Sequence, residues 1–185
     1  MGEPFFEPPV AGDEYGALFG ALERQRATFR YKCDDLDEAG LRAKLATSTL
    51  SLGGLLVHLA LVEEYTVGVK IEGGRLSARW SVLSEDEGEG AEFQWAETAS
   101  AREIYNLYDE VVAECRRRLE RVAAGGLDQL VVAAWPDGRR ANVRRIVTDL
   151  LEEYARHSGH AELLREAVDG RVGEDPPATW TWPTR

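Results

Sequence analysis

Three histidines are all that this chain carries: His58, His157 and His160. Each falls within a stretch of helical hydrophobic period. His58 sits on the face set by Leu55, Val62 and Tyr65. His157 and His160 belong to a stripe that reads Ile146, Leu150, Glu153, His157, His160, Leu164 and Ala167. At roughly 100° per residue, Glu153, His157 and His160 share an arc of about 60° on one helix. Imidazole nitrogens and a carboxylate oxygen are the donors that a divalent transition metal accepts, and catalytic metal sites often keep three protein ligands and one open position. His58 from a facing helix would complete such a set. Spacing leaves two pairs open on the later helix: Glu153 with His157 at i, i+4, or His157 with His160 at i, i+3. Glu152, Glu63 and Glu64 lie close enough in sequence to accept from an imidazole N–H beside the ligands. They serve equally well as surface carboxylates, and the whole polar stretch reads equally as an exposed end of a helical protein.

The elements that would position these groups follow from period and capping. A first helix is expected over about 12–32, capped by Asp13, with Tyr15, Leu18, Leu22 and Phe29 inward and Gln25 as a polar interruption. A short helical turn is expected between Asp34 and Leu45. A second helix over about 52–70 starts after Thr49 or Ser51, and Gly53-Gly54 in its first turn allows a neighbour to approach closely. Residues 71–99 show no helical period and carry Trp80, Phe93 and Trp95 with an acidic run from Ser84 to Glu92; they read as a surface loop packed beside a pocket or, equally, as a mobile acidic linker with anchored ends. A third helix spans about 99–123, burying Ile104, Tyr108, Val111, Cys115 and Leu119. Leu130 to Trp135 reads as an extended segment entering a Pro136-Asp137-Gly138 turn. The fourth helix, about 142–168, repeats apolar positions by four and three and ends at Gly170. From about residue 171 an irregular, docked tail carries Trp180 and Trp182. The expected architecture is an all-α four-helix bundle in one domain over residues 1–185, up-down-down-up, with the long connection between helices 2 and 3.

Composition narrows the function. With 22 Lys+Arg against 33 Asp+Glu, the net charge is −11. Phosphate backbones and anionic membrane surfaces both demand clustered cations, so no nucleic-acid and no membrane partner is expected. No apolar run is expected to reach the ~20 residues of a membrane span. Two cysteines, Cys33 and Cys115, make neither a disulfide framework nor a cysteine-based zinc site. The acidic, Pro-rich N-terminus has neither the basic start nor the apolar centre of a signal peptide, and Phe6 stands where N-myristoylation needs Ser or Thr. A cytoplasmic location is expected.

The strings LGGLLVHLALVEEY over 52–65 and EEYARHSGHAELLRE over 152–166 resemble the DinB-like superfamily, closest to its actinobacterial branch related to mycothiol-dependent maleylpyruvate isomerase. The resemblance covers nearly the whole chain in helix order, and the second string is the more specific. It implies a four-helix bundle holding a divalent metal, zinc or nickel, at one end of the core. It assigns His58 as the ligand of the second helix and the pair Glu153 and His157 on the fourth, Glu153 standing where the wider superfamily has histidine. Gly159-His160 matches the branch pattern without being the usual ligand, which places His160 beside the ligands or in the pocket wall. The family uses low-molecular-weight thiols, here mycothiol, activated at the metal. The chain's own cysteines need not act. The extra C-terminal domain of the isomerase is not expected, so its particular substrate is not carried over. A homodimer is possible because the superfamily often pairs its bundles.

Three functions follow. The first is a metal-dependent thiol S-transferase or isomerase acting on a small electrophilic substrate. The second is a metal-dependent hydrolase using bound hydroxide. The third is a non-catalytic bundle that binds a small molecule.

Overall fold

The computed structural model describes residues 7–82, 90–173 and 175–183. These residues form six α-helices and no strand, as an all-α chain requires. Helix α1 spans Glu14–Lys32 and begins where the Asp13 carboxylate accepts from the Gly16 N–H at 2.8 Å. The short α2, Glu38–Arg42, is capped by Asp37 in the same way. Ser51, rather than Thr49, caps α3, Leu52–Glu64. Helix α4 spans Ala91–Thr98. Helix α5, Ala101–Ala123, opens with a reciprocal capping box between Ser100 and Glu103. Helix α6, Val143–Asp169, starts at Asn142 and stops at Gly170, whose φ of 78° lies where a side chain would be strained.

Helix α1 packs along α6, while α3 packs against α5, α4, α6 and α2. Helix α3 is therefore the central element, and its Leu52, Leu55, Leu56, Val57, Leu59 and Ala60 are fully buried. The close approach expected at the glycine pair is present. A Cβ on Gly54 would lie 2.6 Å from the Phe93 ring, so the bare backbone lets α4 settle onto α3.

Four expectations change. The span 71–99 is not a structureless loop: it holds a 3₁₀ turn, Ala78–Val82, and α4, while most of the acidic run lies outside the described residues. The second helix does not continue regularly to residue 70. From Tyr65 to Ile71 the hydrogen bonds widen to a π-helix. The stretch 130–135 enters its turn as expected but makes no regular strand: Leu130 forms an isolated antiparallel bridge with Asn142, Val131 N donates to Ala141 O and Trp135 N to Arg139 O across the turn, and Val132 N and Ala133 N donate to Ile71 O and Lys70 O. Finally, Leu52–Ile71 is long and apolar enough, by length and composition, to cross a membrane, with mean hydropathy 1.3. Its window is 72% buried within the fold, which is what a central core helix requires.

Helix α1 departs from a one-stripe reading. Besides Leu22 and Phe29, it buries Arg26, Arg30 and Lys32. Arg26 makes a two-pronged bond to Glu63 of α3, at 2.6 and 2.7 Å, inside the core. Arg30 bonds Asp109 and Asp34, and the tail closes over this network: Trp180 donates to Asp34 and Trp182 to Asp109, each at 3.1 Å. The Trp182 ring lies parallel to Tyr108 beneath it, with the Arg116 guanidinium on it at 4.2 Å. The tail is irregular and docked, as its composition suggests.

Candidate metal centre

His58 leaves the middle of α3, whereas Glu153 and His157 leave α6 one turn apart. The packing of α3 on α6 brings one donor atom from each to within 4.8 Å of the others. The His58 and His157 rings meet edge to face, with centroids 4.9 Å apart. Glu153 Oε2 lies 3.5 Å from His157 Nε2. Two imidazoles and a carboxylate at this separation match the donor set of a zinc-type site with open coordination positions, so the residues fit a divalent ion.

Each imidazole is also held from behind. His58 Nδ1–H donates to Glu92 Oε1 at 3.1 Å, and its ring lies against Phe93 at 5.4 Å with planes 22° apart. Both partners come from α4, which the sequence pattern did not reveal. The hydrogen bond from His58 keeps the Glu92 carboxyl below its usual range, so it remains an acceptor. With Nδ1 committed, Nε2 is the His58 atom left for an ion, a common arrangement in metal-binding histidines. On α6, His160 Nδ1 lies 3.2 Å from His157 Nδ1, leaving His157 Nε2 on the side of Glu153. Burial, followed by the neighbouring His58 and His160 rings and the Arg156 cation, pulls the His157 pKa from 6.5 to about 4. His157 is therefore neutral, the form that donates a lone pair, throughout the physiological range.

The carboxylates offered by sequence proximity divide. Glu63 is fully buried and committed to Arg26. Glu64 turns away to accept from the Ser77 N–H at 2.6 Å and from the Trp80 indole at 2.9 Å. Neither reaches an imidazole. Glu152 is exposed and lines the cavity described next. Glu92, which does reach one, was hidden at the end of an acidic run. Its only sequence signal was the pair of aromatics that follows.

The site opens onto a cavity of about 600 Å³ between α3, its π-helical extension and α6. His58, Glu92 and Glu153 form one wall; Leu61, Val62 and Leu150 give it an apolar side; Lys70, Arg145 and Asp149 give it charge. The thiols of the chain take no part. Burial pushes the Cys33 thiol up to about 12 and raises that of Cys115 as well, so both stay protonated in the core.

The mycothiol S-transferase family model matches residues 17–170, from within α1 to the glycine that ends α6. The chain belongs to this family. The DinB-like resemblance of its two histidine-bearing strings is thereby borne out. Membership of the mycothiol S-transferase family connects the fold to transfer of a low-molecular-weight thiol onto a small molecule. No curated protein sequence matches the chain.

Proposed function

We propose that this protein is a cytoplasmic, metal-dependent thiol S-transferase that joins a mycothiol-type thiol to a small electrophile in the cavity beside His58. The scaffold is read as a four-helix bundle of α1, α3, α5 and α6, up-down-down-up, with α4 in the crossover. The supporting observation is the convergence of His58, Glu153 and His157, the first two of which line the cavity, within a thiol-transferase family. These three residues would hold the ion, zinc or nickel.

When bound, the ion supplies Lewis acidity that lowers the pKa of a thiol at its open position. The chain's residues do the rest. Glu92 and His160 engage the Nδ1 atoms of the two imidazoles, leaving each Nε2 for the ion. Phe93 and the packing of α4 on α3 keep bulk water from the back of His58. Lys70 and Arg145 offer cations to the polar parts of a sugar-bearing thiol or an anionic electrophile. The core cysteines, held protonated, leave the sulfur chemistry to the incoming thiol.

The test is elemental analysis of purified protein beside a thiol-consumption assay with a mycothiol-type thiol and a small electrophile. About one divalent ion per chain is expected, lost in His58→Ala together with activity. Protein that neither carries nor takes up zinc or nickel would overturn the reading. Ester or amide hydrolysis without thiol, abolished by chelator, would replace it with the bound-hydroxide reaction.

A further inference from the structure

A second hollow, about 270 Å³, adjoins the main cavity and shares Tyr65, Lys70 and Asp149 with it. Its remaining wall differs in character: Val131, Ala133, Trp135 and Ile146 make it apolar and flat-sided. Together the two hollows fall within the size of a small-molecule site. Three features show how the fold builds this annex.

First, the π-helical segment places Tyr65 and Lys70 above one another, because its bonds run i to i+5. The Lys70 ammonium consequently lies 5.5 Å from the Tyr65 ring. Second, the backbone of the same segment anchors the annex wall: Lys70 O accepts from Ala133 N at 3.0 Å and Ile71 O from Val132 N at 3.1 Å. Third, the Trp135 turn is closed on itself by Trp135 N to Arg139 O and Gly138 N to Trp135 O, both at 2.8 Å, which leaves the indole 46% exposed at the rim.

The charges at the junction are unequal. Asp149 is paired with Arg145 at 2.6 Å. Lys70 is half-buried, and among the described residues no carboxylate pairs with it. A cation at the seam between a polar cavity and an apolar annex selects a ligand with one anionic group joined to a flat apolar body.

We propose that the annex bounded by Lys70, Ile146 and Trp135 binds the aromatic part of an anionic electrophile, with the anionic group at Lys70 and the reactive carbon directed to the His58 side. This rests on the transferase reading for the word electrophile only; the annex itself is a claim about binding. Substrates of this class are aromatic carboxylates or sulfonates.

The test uses 2-naphthoate, an unreactive aromatic carboxylate, followed by ligand-observed NMR titration on the full chain freed of metal. Binding in the range of about 0.1–1 mM is expected for a ligand of this size. The neutral 2-naphthamide and the non-flat cyclohexanecarboxylate should each bind about tenfold more weakly. Lys70→Met should weaken naphthoate about tenfold and erase the preference over the amide. Trp135→Ala, at an exposed turn, should erase the preference over cyclohexanecarboxylate. His58→Ala should leave naphthoate binding unchanged, which separates this claim from the metal site. A wild-type protein that takes up zinc yet binds naphthoate no better than its amide overturns the annex and spares the metal centre. Naphthoate binding that both Lys70→Met and Trp135→Ala leave intact also overturns it. Selective, Lys70-dependent binding in a protein that takes up no metal sustains the annex and removes the metal centre.

Discussion

The Glu92 carboxylate is the sharpest test of how the metal centre is assembled. It accepts from His58 Nδ1 at 3.1 Å, with its own side chain 14% exposed and that of His58 22% exposed. Replacing it by alanine removes the one acceptor that nitrogen has among the described residues and frees the ring to turn. Loss of such an orienting partner lowers metal affinity about 10- to 100-fold, or about 1.4–2.8 kcal/mol. Glu92→Gln keeps an acceptor oxygen but loses the charge, so its loss should be the smaller of the two. The assay is zinc competition against a chelating dye at neutral pH on metal-free protein, with thermal melts to show that α4 still packs on α3. His58→Ala provides the floor. If Glu92→Ala binds zinc as tightly as the wild type while His58→Ala does not bind it, the argument that Nδ1 is committed backwards and Nε2 forwards is refuted.

Three further outcomes follow from the geometry. Glu63→Ala leaves the Arg26 guanidinium, which is 1% exposed, with the partly exposed Glu23 as its remaining carboxylate partner and should cost about 3 kcal/mol, lowering the melting temperature by roughly 10 °C; the paired change Arg26→Met with Glu63→Leu should be much milder. His157 has its folded pKa depressed from 6.5 to about 4, so in the metal-free protein the stability it contributes is present above pH 6.5 and disappears as pH falls towards 4. That contribution amounts to at most about 3 kcal/mol, and urea melts of wild type and His157→Gln at pH 7 and pH 4.5 should converge at the lower pH. Gly54→Ala drives a methyl into the Phe93 ring, and a loss of about 1–3 kcal/mol with weakened zinc binding is expected in the same melts and dye competition.

The legibility of this protein in its sequence divides along physical lines. Glu153, His157 and the His58 stripe were readable because helical period alone decides which residues share a face. That α3 and α6 then touch is a tertiary fact, yet two stripes with the same odd polarity anticipated it. Glu92 was not readable. Its helix is eight residues long, too short for a convincing period, and its partner lies 34 positions upstream. Glu63 was misjudged for the opposite reason. Closeness in sequence to His58 suggested a shared role, but five positions along a helix point elsewhere, into the Arg26 pair. Burial of Arg30 and Lys32 does not follow from helical period, because the tail that closes over this end lies about 150 residues away. The π-helix left no mark in residue type, since Tyr-Thr-Val-Gly-Val-Lys-Ile satisfies an ordinary helix equally well.

That widened turn has a consequence for how the chain can vary. A π-helical stretch carries one residue more than an α-helix of the same reach would hold. Removing a single residue between Glu64 and Glu72 would let ordinary α-helical winding span the same reach, keeping the flanking register but abolishing the i, i+5 bonding within the segment. The groups disturbed would be those inside the segment: the stacking of Lys70 on Tyr65 and the carbonyls that accept from Val132 and Ala133. The number of residues in Tyr65–Ile71, as well as their identity, thus sets the seam between the cavity and its annex.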